Sequence, residues 1–111
     1  MIDSHSMAAL LDSLKNPVVF ADTHHTIIYM NEAAKKRYAD RGGAKLLGQS
    51  LLDCHNEQSR QTIIDILIAM AAGETERLIT DSQKHQAYMR AVRDSEGKLL
   101  GYYERYEPPA K

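Results

Sequence analysis

The sequence has few residues of several types, and each shortage excludes a class of protein. Its 111 residues include one cysteine, which excludes an internal disulfide framework and a zinc site built from several cysteines. It has 14 basic against 15 acidic residues, which excludes a nucleic-acid module built on a basic face. No apolar run approaches the roughly 20 residues of a membrane span, and no signal-peptide pattern begins the chain. We therefore expect a cytoplasmic protein that contacts neither membrane nor nucleic acid.

The residues that are present fit one soluble globular domain. Of the chain, 43% is apolar and 26% is charged, which is typical of a folded protein. The length suits a single domain and leaves no room for a second one that would act as an effector. We expect a flexible arm over 1–6, the domain over 7–107 and a C-terminal tail over 108–111.

Apolar spacing and turn residues divide this domain into helices and strands. Asn31 is placed to cap a helix, Pro17 ends the first helix, and Gly73 ends the longest one. The pattern predicts helices over 7–14, 31–38 and 59–72, and strands over 17–22, 26–30, 75–81, 85–93 and 99–107. Strands at both ends with helices between them predict an α+β domain with a five-stranded antiparallel sheet.

Four motifs, in chain order, resemble those of the PAS domain, a sensory module of signalling proteins. They are DSLKNPVVFAD, IIYMNEAA, LLGQSLLDCH and RDSEGKLLGYYERYE, and the similarity covers about residues 8 to 107. The resemblance implies short helices and one longer helix on one face of the sheet, an N-terminal lead-in helix, and a small cavity for ligand sensing or dimerisation. The Asp-Ile-Thr that leads many such domains into an output helix is replaced by YEPP. We therefore expect the effector to lie on another chain or segment.

Cys54 supports neither a light sensor nor an enzyme. Its surroundings, DCHNEQ, do not match the Asn-Cys-Arg-Phe-Leu-Gln helix of the flavin photosensors in this family. Neighbouring residues such as Cys54 and His55 rarely point at one another, and no oxyanion motif accompanies them. We expect a non-enzymatic protein in which Cys54 is a small buried hydrophobic residue.

His55 is the candidate ligand of a haem iron. Helical geometry extended back to His55 would point it in nearly the same direction as Ile66 of the long helix. The segment HNEQSRQTI also resembles the haem-binding PAS domains of bacterial carbon-monoxide-responsive regulators, in which the histidine of a His-x-x-x-Ser-Arg pattern binds haem. The resemblance assigns that pattern to His55, Ser59 and Arg60. The other four histidines, at 5, 24, 25 and 85, lie in the arm or near turns, and we expect them to be exposed.

The long helix and two strands supply the rest of the predicted haem site. Ala87, Met89 and Ala91 share one strand face, where the alanines leave volume for a flat ligand and Met89 can be a second axial ligand. The predicted cofactor-binding residues are His55, Met89, Ile63, Ile66, Leu67, Met70, Leu78, Ala87 and Ala91. We expect them to hold b-type haem and to sense a diatomic gas or a redox state.

These features also allow an interpretation without haem. His55 can be a half-exposed residue at the helix start, hydrogen-bonded to nearby backbone. Ala87, Met89 and Ala91 can simply pack against the long helix. The domain is then an interaction module whose cavity holds its own side chains or a small metabolite.

Apolar residues at both ends of the domain predict a homodimer. The first helix carries an apolar stripe, and tyrosines, which combine apolar area with a polar tip, crowd into the last strand. The predicted interface residues are Met7, Leu10, Leu11, Leu14, Tyr102 and Tyr106. In the alternative, the two tyrosines cover the lead-in helix of their own chain.

Overall fold

A computed structural model describes residues 1 to 109, without the side chain of Cys54. The last two residues of the predicted tail and the predicted burial of Cys54 therefore lie outside the described residues. The helices are α1 (Ser4–Asp12), α2 (Glu32–Arg37) and α3 (Glu57–Ala71), and the strands are β1 (Val18–Asp22), β2 (Ile27–Met30), β3 (Glu76–Asp81), β4 (Gln86–Arg93) and β5 (Leu99–Glu107). Short 3-10 turns at Ala39–Arg41, Gly43–Leu46 and Leu51–Cys54 connect α2 to α3.

Side-chain caps fix the residues at which the helices begin, and two helices begin earlier than predicted. Asp3 accepts a hydrogen bond from the Ser6 amide, so α1 begins at Ser4 and part of the predicted arm is helical. Asn56 accepts from the Ser59 amide in the same way, so α3 begins two residues before its predicted start. None of the helices within residues 1–109 is long and apolar enough to cross a membrane.

The predicted five-stranded antiparallel sheet is confirmed. Its strand order is β2-β1-β5-β4-β3, so the first and last strands of the chain pair at its centre. Gly101 of β5 lies so close to β1 that an added Cβ would collide with the Ala21 carbonyl oxygen and stand 2.9 Å from the Asp22 Cα. A residue without a side chain is therefore required where these two strands meet.

The inner face of the sheet pairs small residues of one strand with large residues of its neighbour. Tyr102 stands opposite Ala21 on β1 and Ala91 on β4, and its side chain is fully buried. Its hydroxyl meets His25 Nδ1 at 2.8 Å, which leaves His25 half-buried where we expected exposure. The placement of Tyr102 in a dimer interface or over α1 is therefore wrong, because the adjoining alanines make room for its ring inside the core.

Leu78 is a second residue whose predicted direction is wrong. A bulge between Leu78 and Thr80 leaves Ile79 without a paired residue and shifts the alternation of β3. Leu78 pairs with Tyr88 on the outer face and stays 41% exposed, while Ile79 packs against the core. Ile79 therefore faces the interior in place of Leu78, the residue that we predicted for the cavity wall.

The side chain of Asn31 joins the lead-in segment, the sheet and α2. Its Oδ1 accepts from the Val18 and Ala34 amides, both at 3.0 Å. Its Nδ2 donates to the carbonyls of Leu11 at 3.2 Å and Asn16 at 3.0 Å. The amide is fully buried, so no water can replace these partners. The predicted helix cap is confirmed, and it also holds three segments together.

Replacing Asn31 should destabilise the fold far more than replacing the other asparagine cap. Asn31→Ala leaves two amides and two carbonyls without their partner, and we expect a loss of about 3 kcal/mol in the free energy of unfolding. Asn56→Ala removes one exposed cap bond and should cost about 1 kcal/mol. Urea unfolding of both variants measures the difference, and equal losses would contradict this role of Asn31.

Candidate functional site

A small cavity lies between the sheet and the segments that connect β2 to α3. Its volume is about 130 Å³. The apolar part of its wall is Val19, Ile27, Met30, Leu46 and Leu51, and the polar part is Tyr38, Arg41, His55, Glu104 and Tyr106. An apolar enclosure with a few polar groups is the usual form of a small-molecule site. We call this space the inner cavity.

Two further spaces adjoin the inner cavity. A side cavity of about 230 Å³ extends along α3 and shares His55, Glu104 and Tyr106 with the inner cavity. A wider mouth of about 380 Å³ is lined by Arg37, Tyr38, Asp40, Arg41, His85 and Tyr106. Tyr106 borders all three spaces, so the position of its ring decides how they communicate.

His55 lines both cavities, but its backbone does not have the predicted conformation. Its backbone is extended, with φ −120° and ψ 150°, so the helical geometry assumed for it is wrong. Instead, its Nδ1 lies 2.9 Å from the Leu51 carbonyl oxygen. A carbonyl can only accept, so Nδ1 carries a proton, and an Nε2 without a proton can accept a hydrogen bond. Arg60 Nε donates to the His55 carbonyl and fixes the backbone there.

The predicted cofactor residues are only partly brought together. His55, Ile63 and Ala87 line the side cavity. Ile66, Met70 and Met89 are fully buried in the core, and Leu67 and Ala91 pack against it. Met89 is not among the residues that line the described cavities, and the space beside Ala91 is filled by Tyr102. The volume expected beside Ala91 is therefore occupied by Tyr102, whereas Ala87 borders the side cavity.

Glu104 is the charged group buried at the centre of this site. It stands opposite Met89 in the middle of the sheet, is 7% exposed and borders both cavities. Burial raises the pKa of the Glu104 carboxyl to about 7. Near neutral pH this side chain is therefore divided between a form that only accepts hydrogen bonds and a form that can also donate one.

Two tyrosines separate the cavities from the mouth. The hydroxyls of Tyr38 and Tyr106 are hydrogen-bonded to each other. The ring of Tyr106 stacks on His85 with centroids 4.7 Å apart, and the Arg37 guanidinium lies 4.2 Å above the same ring. His85 is thus half-buried where we expected exposure, and Tyr106 borders the cavity of its own chain where we predicted a dimer surface. Burial raises the pKa of Tyr38, which keeps its hydroxyl protonated.

Sequence reasoning missed Glu104, Tyr38 and Arg41. The sequence pattern could have indicated Glu104, because it shares one face of its strand with Tyr102 and Tyr106. Only the direction of that face was assigned wrongly. Tyr38 and Arg41 lie in irregular turns after α2, where periodicity carries no information about direction.

A family model described as "PAS fold" matches residues 11–109. No curated protein matches the chain. Among solved structures, the PAS domain of Bordetella pertussis BvgS is similar with a TM-score of 0.68 and 18% identity, over 96% of this chain and 86% of that one. At this identity the likeness shows the fold alone.

The descriptions of two other similar structures name a ligand. The Vibrio cholerae Aer2 receptor, a dual PAS-haem oxygen sensor, has a TM-score of 0.59 and 18% identity, over 83% of this chain and 92% of that one. VqmA of Vibrio cholerae, bound to DPO, has a TM-score of 0.68 and 13% identity, over 97% of this chain and 58% of that one.

Burial of Glu104 should make the stability of the protein fall as pH rises. The folded state holds the Glu104 proton up to about pH 7, whereas the ordinary pKa of a glutamate is 4.5. Stability is therefore lost between these two values, by about 3 kcal/mol in total. Urea unfolding at pH 4.5 and pH 8 should show this loss in the wild type, and Glu104→Gln should lack it. The exposed Glu96→Gln is the control, and a loss of equal size in all three proteins would contradict the prediction.

Proposed function

The chain belongs to the PAS fold family of sensory and signal-transduction domains, and from this premise we propose that its inner cavity binds a small single-ring molecule as the signal. The observation that carries the proposal is the cavity itself, about 130 Å³ with apolar walls and several polar groups. A dry cavity of about 150 Å³ in another protein accommodates benzene, so this volume suits one ring. Larger ligands usually occupy about 300 Å³ or more.

The polar groups of the cavity are suited to binding and orientation. Glu104, the free Nε2 of His55 and the Tyr38–Tyr106 hydroxyl pair border one space, and each can exchange a hydrogen bond with a ligand. This arrangement favours a ring with polar substituents over a hydrocarbon. The VqmA structure bound to DPO supports the use of this fold for a small ligand. We assign the cavity to sensing and not to catalysis.

Haem is the second candidate ligand, and the His55 geometry favours it. A hydrogen bond from Nδ1 to a carbonyl is the usual support of a metal-binding imidazole, and Aer2 is described as a PAS-haem sensor. The described conformation, however, does not fit a haem. The cavities measure about 130 and 230 Å³, Met89 is packed in the core, and the Glu104 carboxyl lies between the two spaces. We therefore place the small ring ahead of the porphyrin.

Toluene titration followed by amide NMR tests whether the inner cavity accepts one ring. We expect shifts at residues that line it, and Leu46→Trp, which fills it, should weaken binding about tenfold. Leu47→Trp is the matched control, because Leu47 is the exposed neighbour of Leu46, and it should bind like the wild type.

Two outcomes would overturn the single-ring proposal. The first is a titration in which Leu46→Trp and Leu47→Trp bind toluene equally. The second is a Soret band, after the protein is purified with haem supplied, that disappears in His55→Ala. That band would establish the haem interpretation in place of the small ring.

We also propose that the domain forms a homodimer through α1 and passes its signal to an effector. Met7 and Leu10 on α1 remain 43% and 54% exposed, and Leu14, which lies just beyond the end of the helix, remains 44% exposed. They leave an apolar surface uncovered by the protein's own core. Leu11 is half-buried against its own chain, so its contribution to a dimer is smaller. VqmA, one of the similar structures, is described as a dimer.

Substituting the α1 stripe should weaken self-association. We expect Leu10→Asp to raise the dimer dissociation constant by about tenfold or more, because it puts a charge into an apolar contact. Sedimentation velocity over a concentration series measures this change. Leu47→Asp, at an exposed leucine outside α1, should leave the constant unaltered. Identical constants for Leu10→Asp and the wild type would remove α1 from the interface.

A further inference from the structure

The Glu104 carboxyl has hydrogen-bonding capacity that the protein leaves unused. A carboxylate offers about four acceptor sites. Among the described residues, none donates a hydrogen bond to Glu104, although it is 93% buried and borders both cavities. The hydroxyls of Tyr38 and Tyr106, which also border the inner cavity, are hydrogen-bonded to each other and not to Glu104. No side-chain oxygen among the described residues is both fully enclosed and without a partner, so the oxygens of Glu104 face the cavity space, where a bound molecule can reach them.

The groups around Glu104 are mostly acceptors as well. With Nδ1 donating to the Leu51 carbonyl, an Nε2 of His55 without a proton is an acceptor too. The inner-cavity wall includes one guanidinium, that of Arg41, which belongs to an exposed residue at the mouth. A molecule that satisfies both acceptors must therefore bring its own hydrogen-bond donors, N–H or O–H.

We propose that Glu104 anchors the ligand and selects a single-ring nitrogen base that presents N–H donors to its carboxylate. This rests on the proposed function of the inner cavity and adds the chemical class of the ligand. A ring nitrogen beside an amino group is the best match, because the ring protonated at that nitrogen presents two parallel N–H bonds to the two oxygens of a carboxylate. The apolar walls, formed by residues such as Val19 and Ile27, enclose the ring faces.

Paired titrations with 2-aminopyridine and toluene test this selection. Both probes are single rings of similar size, and only 2-aminopyridine carries the N–H donors. Wild type should bind 2-aminopyridine about tenfold more tightly than toluene, and Glu104→Gln should lose that preference while it still binds toluene. Glu107→Gln is the matched control, since Glu107 lies on the same strand and is bonded to Arg105. The amide spectra of each variant also report whether it is folded.

The outcomes separate this inference from the function on which it rests. If toluene binds but 2-aminopyridine binds no more tightly, the cavity stands and the role of Glu104 is overturned. If the preference persists in Glu104→Gln, another residue anchors the ligand and the inference is again wrong. If neither probe binds to the wild type, the single-ring cavity fails and the inference fails with it.

Discussion

The arrangement of this domain depends on the hydrogen bonds of one buried amide, that of Asn31. A side chain with two donors and one acceptor oxygen holds the end of the lead-in segment, the start of β1 and the first turn of α2 at a single point. The bond to the Ala34 amide is buried and the other three are part-buried, so water would replace this side chain poorly as their partner. Because α2 begins there, the position of Tyr38 at its end, and so of the cavity wall, follows from the same contact.

The cavity exists because large and small residues are unevenly distributed over the inner sheet face. β5 contributes Tyr102, Glu104 and Tyr106, opposite Ala91, Met89 and Ala87 of β4. Tyr102 fills the space at one end, whereas Tyr106 at the other end is held at the mouth by Arg37 and His85. Glu104 lies between them, where its polar end meets open space. The core and the site are therefore successive parts of one strand.

The sequence predicted the element order, the sheet and the helix cap at Asn31, because periodicity and turn residues act over short distances. It did not predict which face of β5 turns inward, because that depends on strand pairing with β1 and on the close approach at Gly101. The direction of Leu78 depends in the same way on strand pairing, because Leu78 stands opposite Tyr88 on the outer face of β4. Local patterns identified His55, but the polar group at the centre of the site, Glu104, required the tertiary pairing.

Substitutions are tolerated far less where Gly101 meets β1 than around the inner cavity. No side chain can be accommodated where the backbone of β5 crosses that of β1. The residues around the inner cavity face space, and many of their substitutions alter its shape without disturbing that crossing. Specificity can therefore diverge among proteins of this architecture while the junction of the first and last strands keeps the framework constant.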